Sequence, residues 1–380
     1  MAMEETMKND KKQVTYFFQN GRRDRLDSNE VFAKEMFYGY HYFKEKNFKT
    51  KIIEFSPHKT NLGKYFFLYV EKKVRNIFKL PLYWSFITNN ENLKIIQNSD
   101  YLIFANNRMA ASAIPMVIYS KLIGHSFKSL TFVMGLFSRI PKYKLLAIVQ
   151  KMYITLMLKN IDEFIFLSNG EFQYAFDKHS KYRSKFHFLP FAVDLDVWHS
   201  ENKSTKEYIL FVGNDGNRDF KLAEEISRLI PEENFIFVSQ EININNLNNN
   251  SKIINGSWGD PKISDIELRN IYQSAKITII PLKNSLQPSG QSVSLQSIAC
   301  GTPVLISHTD GFWDTKNFKD KENIFFAYDD SAEYWIRCIN SILSLKEKEL
   351  ERIILSGSKT INKHYDLVEF SIKIKKLIEK

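Results

Sequence analysis

The chain has 380 residues, 44% hydrophobic and 25% charged, which excludes a disordered polymer and leaves enough length for two domains with real cores. Its two cysteines, Cys300 and Cys338, exclude a disulfide framework and a zinc ribbon. The net charge of +10 is uneven: residues 1–190 hold 30 Lys and Arg against 16 Asp and Glu, a net +14, and residues 191–380 carry a net −4.

The start, MAMEETMKND, is polar and acidic, unlike a signal peptide. No run reaches the ~18 uninterrupted apolar residues of a spanning helix, so the expected setting is cytoplasmic and reducing. Val14 to Gln19 reads as a first strand, ending in a polar loop with Gly21 and the arginines Arg22, Arg23 and Arg25. Ser28 or Asp27 is a candidate cap for a helix from Asn29 to about Lys46. Thr50 to Phe55 is a second strand, and Leu62 to Leu80 an aromatic, Lys-rich helix. Further strands are expected at Tyr101–Phe104, Ser129–Met134, Phe164–Leu167 and Phe186–Pro190. Helices are expected at Met109–Leu122 and Arg139–Leu158.

Between Asp100 and Asp162 there is no acidic residue, but there are eight basic ones among many Leu, Ile, Met and aromatic residues. Such a basic, apolar stretch suits an anionic membrane surface or nucleic acid, and equally a Lys-rich solvated face over an ordinary core. Residues 191–207 turn polar and the charge sign changes beyond them, which places a linker there.

The alternation then restarts: strand Tyr208–Val212, a Gly213–Asn217 loop, helix Asp219–Leu229 and strand Phe235–Ser239. The Asn-rich piece Ile242–Asn250 reads as a surface loop, and Asp265–Ser274 as a helix. Next comes strand Ile277–Pro281, a loop with Pro288, Ser289 and Gly290, a short helix Val293–Ala299, and strand Val304–Ser307. Gly301 and Pro303 punctuate that helix end. A βαβ unit of this kind leaves unpaired N–H groups and a positive helix terminus where an anion binds, although an ordinary βα turn has the same composition. Ala332–Leu345 and Lys346–Lys380 read as helices. The fold class is α/β, with two successive strand–glycine-loop–helix units as in doubly wound sheets.

Four segments then stand in the order and spacing of the retaining family 4 glycosyltransferases. Ser168 with Glu171, followed by Phe188 to Asp194 (FLPFAVD), resembles the family's "S-x-x-E" helix start and "P-F-G-V-D" signature, with Ala192 in place of Gly. Phe211 to Asp219 is similar to the first βα turn of the family's donor domain. Asp265 to Pro281 resembles the approach to its site. Ser289 to Val293 and Gln296 to Val304 resemble "S-G-Q-S-V … E-A-M-A-C-G-x-P-V". The likeness is specific over residues 160–314 and architectural before them.

The resemblance implies a GT-B fold: two Rossmann-like domains facing a cleft, at 1–195 and 196–360, with a helix at 361–380 packing back on the first. It implies transfer of a sugar from a nucleotide-diphosphate sugar, without a metal or other cofactor, to a glycan or lipid-linked saccharide, as in bacterial cell-surface polysaccharide assembly. Donor contacts fall on Gly213, Arg218, Lys221, Ser289, Gly290, Gln291, Ser292, Val293 and Gln296, with Gly21 and Arg22 at the opposite lip. Arg218 and Gln291 would stabilise charge on the leaving diphosphate. Asp310 and Trp313 fall where a loop would touch donor or base.

Three positions depart from the family. Gln296 stands where a ribose-binding Glu is usual, Pro288 where an earlier Glu is usual, and Met134 where a His often contacts the sugar. They keep a second reading open, a non-catalytic glycosyltransferase-like partner subunit. A nucleic-acid-binding protein ranks last, because no recognition helix or stacking platform accompanies the charge. A peripheral contact with an anionic membrane is the expectation from the basic half.

Overall fold

A computed structural model describes residues 11–55, 62–201, 205–256 and 262–380, with the backbone alone for 62–67. The polar start at 1–10 and part of the linker at 191–207 lie outside them. Two all-parallel sheets of six strands organise the chain. The first holds β1 (Gln13–Gln19), β2 (Lys49–Phe55), β3 (Tyr101–Phe104), β4 (Lys128–Val133), β5 (Glu163–Phe166) and β6 (Phe186–Phe188), in the order β2-β1-β3-β4-β5-β6. The second holds β7 (Tyr208–Val212), β8 (Phe235–Val238), β9 (Ser251–Ile254), β10 (Ala275–Ile280), β11 (Val304–Ser307) and β12 (Phe325–Ala327), in the order β12-β11-β10-β7-β8-β9.

The helices follow in the gaps. In the first unit they are α1 (Arg22–Asp27), α2 (Tyr40–Glu45), α3 (Leu62–Phe78), α4 (Asn90–Gln97), α5 (Asn107–Leu122), α6 (Lys144–Asn160) and α7 (Asn169–Lys178). The second unit has α8 (Phe220–Leu229), α9 (Asp265–Ser274), α10 (Gln291–Ala299), α11 (Ala332–Leu343), α12 (Glu347–His364) and α13 (Leu367–Ile378).

The strands read as continuous apolar runs because both faces of each sheet are covered. In β1, Phe17 faces a cluster with Phe104 and the apolar side of α5, whereas Tyr16 and Phe18 face a second cluster with Tyr40 and Phe43. That second face of the first sheet is closed by α13, where Phe370 stacks on Phe132 with ring centroids 5.8 Å apart and Asp366 bridges Val193. The C-terminal helix therefore returns to the first unit, as expected.

Two expectations are corrected. The helix read over Asn29–Lys46 is not one element. Gly39 takes φ 85 and Tyr38 φ 49, conformations that break a right-handed helix, and only α2 remains after a short 3₁₀ turn at Glu35–Phe37. The run Lys346–Lys380 splits at Tyr365, whose hydroxyl donates to Asp314 at 2.9 Å. Strands β9 and β12 and helices α1 and α4 are additions to the sequence reading, α1 taking up arginines read as part of a polar loop.

Candidate functional site

In open parallel sheets a ligand crevice forms where neighbouring strands send their connections to opposite sides, beyond the strands' carboxyl ends. In the first sheet that point lies between β1 and β3, and in the second between β7 and β10. Two cavities of the cleft sit there. The first is about 290 Å³ and is lined by residues following β7 and β10 together with Ala33, Glu35 and Met36 of the first unit. The second is about 690 Å³ and is lined by residues following β1, β3 and β4. They share Met36 and Asp215 as lining residues, so they adjoin each other between the units.

Arg218 is the centre of the smaller cavity. Its side chain is only 3% exposed, and burial pulls its pKa down. Asp215 approaches Nε at 3.4 Å, yet Nε and Nη1 have no hydrogen-bond partner in the protein. A buried cation left in this state is costly, and an anion removes the cost. Two glycines make the space. A Cβ at Gly213 would collide with Arg218 Nε, and one at Gly290, which takes φ 80, would stand 3.0 Å from Nη1. Gly290 also starts α10 without a side-chain cap, so the first N–H groups of that helix, at Gln291, Ser292 and Val293, have no helical partner. The two loops are tied together: Asn217 Nδ2 donates to Ser289 Oγ at 2.9 Å, and Lys283 N–H donates to the Asn217 carbonyl at 2.8 Å.

The sequence-predicted residues separate here. Gly213, Arg218, Ser292, Val293 and Gln296 line the smaller cavity. Ser289 and Gly290 shape it from behind, and Gln291 donates across the units to the Leu167 carbonyl at 3.3 Å. Lys221 is exposed on the first turn of α8 and does not line the cavity. Arg22 lines the larger cavity, and Gly21 starts α1 with φ 92. Met134 lines the larger cavity as well. Trp313 is fully buried against Phe312 and Phe318, which removes it from the surface of the cleft, and Asp310 accepts from Asn284 at 3.0 Å. Cys300 is buried and its thiol is pushed up to about 12 by burial, the state of a small packing residue.

Gln296 has a neighbour that sequence reading missed. Its Nε2 donates to Glu35 Oε1 at 2.9 Å, and its Oε1 accepts from the Tyr272 hydroxyl at 3.2 Å. The same Glu35 oxygen accepts from Trp198 Nε1 at 2.8 Å, while Oε2 is buried without a hydrogen-bond partner. Burial raises the Glu35 pKa to about 7, only partly opposed by the Gln296 and Trp198 hydrogen bonds. A carboxyl group thus stands beside position 296 although the residue there is an amide. Glu35 lies inside the span expected as one long helix, and Gly39, a poor helix residue close by, is the sequence signal against that helix.

Two further acids hold the segment that carries Glu35. Asp265 accepts from Arg25 at 3.0 and 2.9 Å and from the Ala33 N–H at 2.8 Å, and Asp194 accepts from the Lys34 N–H at 2.9 Å. On the opposite wall, buried Glu171 accepts from the Gly135 and Phe137 N–H groups at 2.7 and 3.0 Å, fixing the turn after β4. Ser168 caps α7 by accepting the Glu171 N–H at 3.2 Å. Among the described residues no group of three His, Cys, Asp or Glu side chains is placed to hold a metal ion.

No family profile matches the sequence, and no curated protein sequence matches it significantly. Solved structures do match in fold. Sucrose-phosphate synthase from Thermosynechococcus elongatus is 13% identical, with a TM-score of 0.68 over 97% of this chain and 98% of that one. Anabaena HepE in complex with UDP-glucose is 10% identical, with a TM-score of 0.65 over 97% and 99%. A glycosyltransferase from Rickettsia africae is 15% identical, with a TM-score of 0.64 over 97% and 98%. These likenesses run nearly the full length of both chains and show the GT-B arrangement of two Rossmann-like units about a cleft.

Proposed function

We propose that the chain is a retaining glycosyltransferase that takes its sugar from a nucleotide-diphosphate donor. The observation that carries this reading is Arg218: a buried guanidinium whose Nε and Nη1 lack hydrogen bonds although Asp215 stands near, beside the uncapped start of α10. A diphosphate supplies the two negative charges that such a pocket lacks. Residues 196–360 form the donor unit in this reading, residues 1–195 the acceptor unit, and 361–380 the returning helix. The Glu35 carboxyl and Gln296 amide, 2.9 Å apart, suit the hydroxyls of the donor's ribose.

The chemistry needs little from the protein beyond charge and position. As the bond between the anomeric carbon and the phosphate oxygen breaks, charge grows on the diphosphate, where Arg218 and the N–H groups of residues 291–293 stabilise it. The acceptor hydroxyl bonds to the same face of that carbon, and its proton passes to the leaving phosphate. No protein nucleophile and no metal takes part in this scheme. The acceptor is a glycan or lipid-linked saccharide of cell-surface polysaccharide assembly, reached on the cytoplasmic face with a peripheral contact to an anionic membrane. No described helix is long and apolar enough to cross a membrane.

The test is a thermal-shift screen of UDP, GDP, ADP and dTDP and their sugars, UDP first because HepE of the same fold was solved with it. One nucleotide should raise the melting temperature by mass action, and Arg218→Ala should abolish the shift. No shift from any of them would overturn the reading. The amide at Gln296 and the proline at Pro288 favour a second reading, a non-catalytic partner subunit. Binding without turnover on any acceptor would support that one.

A further inference from the structure

The larger cavity has a charge character that a neutral sugar hydroxyl does not call for. Arg22, Arg75, Lys79, Arg108 and Arg139 line it, and Asp215, the acid among its lining residues, already pairs with Arg218. We propose that this cavity takes an acceptor through a phosphate group, a phosphomonoester or phosphodiester carried on the molecule to be glycosylated. The proposal rests on the reading of the cleft as a sugar-transfer site, which supplies the word acceptor.

Arg75 and Arg108 are held by contacts of their side chains, and Lys79 and Arg139 through their backbones. The guanidinium groups of Arg75 and Arg108 lie 4.1 and 5.1 Å from the centre of the Tyr83 ring. Packing on an aromatic face fixes a guanidinium plane and leaves much of its N–H fork for a phosphate. Arg75 Nη1 also donates to the Leu82 carbonyl at 3.2 Å. Buried Gln150 joins the backbones of two more cationic residues, donating to the Lys79 carbonyl at 3.3 Å and the Arg139 carbonyl at 2.7 Å. Arg22 sits at the inner end, 8% exposed, where burial lowers its pKa to about 10 and leaves it charged at neutral pH. Asn106 and Asn107 open α5 at the same wall, adding the positive end of a sixteen-residue helix. Five cationic residues lining one concave site select a compact polyanion more strongly than a neutral sugar. Because this cavity adjoins the proposed donor cavity at Met36 and Asp215, a phosphate held here keeps the acceptor next to the donor.

Calorimetry on the full chain tests this with three soluble probes, in the presence of saturating UDP. They are glucose 6-phosphate, dihexanoylphosphatidic acid below its micelle concentration, and glucose. A phosphate-bearing probe should bind at least about tenfold tighter than glucose. A preference for the sugar phosphate assigns a free phosphorylated acceptor, and a preference for the lipid a lipid-borne one. The double variant Arg108→Gln, Arg139→Gln should lose that advantage while binding UDP as the wild type does. Among the described residues neither side chain makes a hydrogen bond, and the Arg108 contact with the Tyr83 ring is the packing lost, so a melting temperature within a few degrees of wild type is expected and excludes misfolding. Equal binding of all three probes, or a phosphate preference that survives the double variant, would overturn the proposal. Failure of UDP to bind would instead overturn the donor reading, and the same titrations without UDP would still decide the phosphate site.

Discussion

At the scale of single residues, Glu35 carries the clearest pH signature. Its pKa rises from 4.5 to about 7 because burial disfavours the charged form. Below pH 4.5 the group is protonated whether the chain is folded or not, and the stability it contributes is fully present. Between pH 4.5 and 7 the unfolded chain releases the proton and the folded chain keeps it, so stability falls as pH rises. Through this one group the fall is about 3 kcal/mol, at roughly 1.4 kcal/mol per unit of pKa. Buried Glu171 is raised in the same way, so the wild-type curve alone cannot separate them. Glu35→Gln can, because the amide oxygen still accepts from Trp198 and Gln296 while no charge is buried. Denaturant melts at pH 5 and pH 8 should show wild type losing more stability than Glu35→Gln over that interval. Parallel losses would mean that the Glu35 carboxyl is ionised in the folded chain throughout.

At the scale of elements, the segment from α1 to α2 acts as a clasp between the units. Asp265 is its anchor, since one carboxylate satisfies both the Arg25 fork and the Ala33 N–H. Asp265→Ala leaves a cation and a backbone donor without that partner, at a cost of roughly 2–4 kcal/mol. Amide exchange over residues 29–39 should then speed up, and UDP affinity should drop because Glu35 leaves the cavity. Exchange rates unchanged from wild type would remove the clasp. This element was also the least legible in the sequence. Strands β7 and β11 and helix α9 stand at the residues expected, because their signals are local: short apolar runs, and Ser264 with Glu267 forming a capping box. The glycine loops at Gly213 and Gly290 were legible for the same reason. Glu35 was not, since its partner Gln296 lies 261 positions away and only the folded chain brings them together. Strands β9 and β12 are four and three residues long and owe their form to pairing with β8 and β11.

At the scale of the molecule, the charge asymmetry becomes a surface. Helix α6 buries Ile154, Met157 and Leu158 in the first unit and turns an apolar stripe outward. Leu145 is 72% exposed, Ile148 55% and Met152 67%, and Ile140 and Tyr143 extend the stripe just before the helix. Lys142, Lys144, Lys151 and Lys159 stand exposed around it. An apolar stripe of this size on water is unfavourable, and its lysine surround matches an anionic lipid surface, where each lysine contributes about 1 kcal/mol. Arg139, which lines the larger cavity, immediately precedes this stripe, so if the proposed acceptor is lipid-borne it would reach the cleft from the membrane side. In vesicle sedimentation the full chain should pellet with phosphatidylglycerol and not with phosphatidylcholine, and binding should weaken as salt rises. The exposed changes Leu145→Gln and Met152→Gln should abolish pelleting without altering the melting temperature or UDP binding. Equal pelleting by the variant would put the membrane contact on another face, and no pelleting by the wild type would leave the lysines as an ordinary solvated surface.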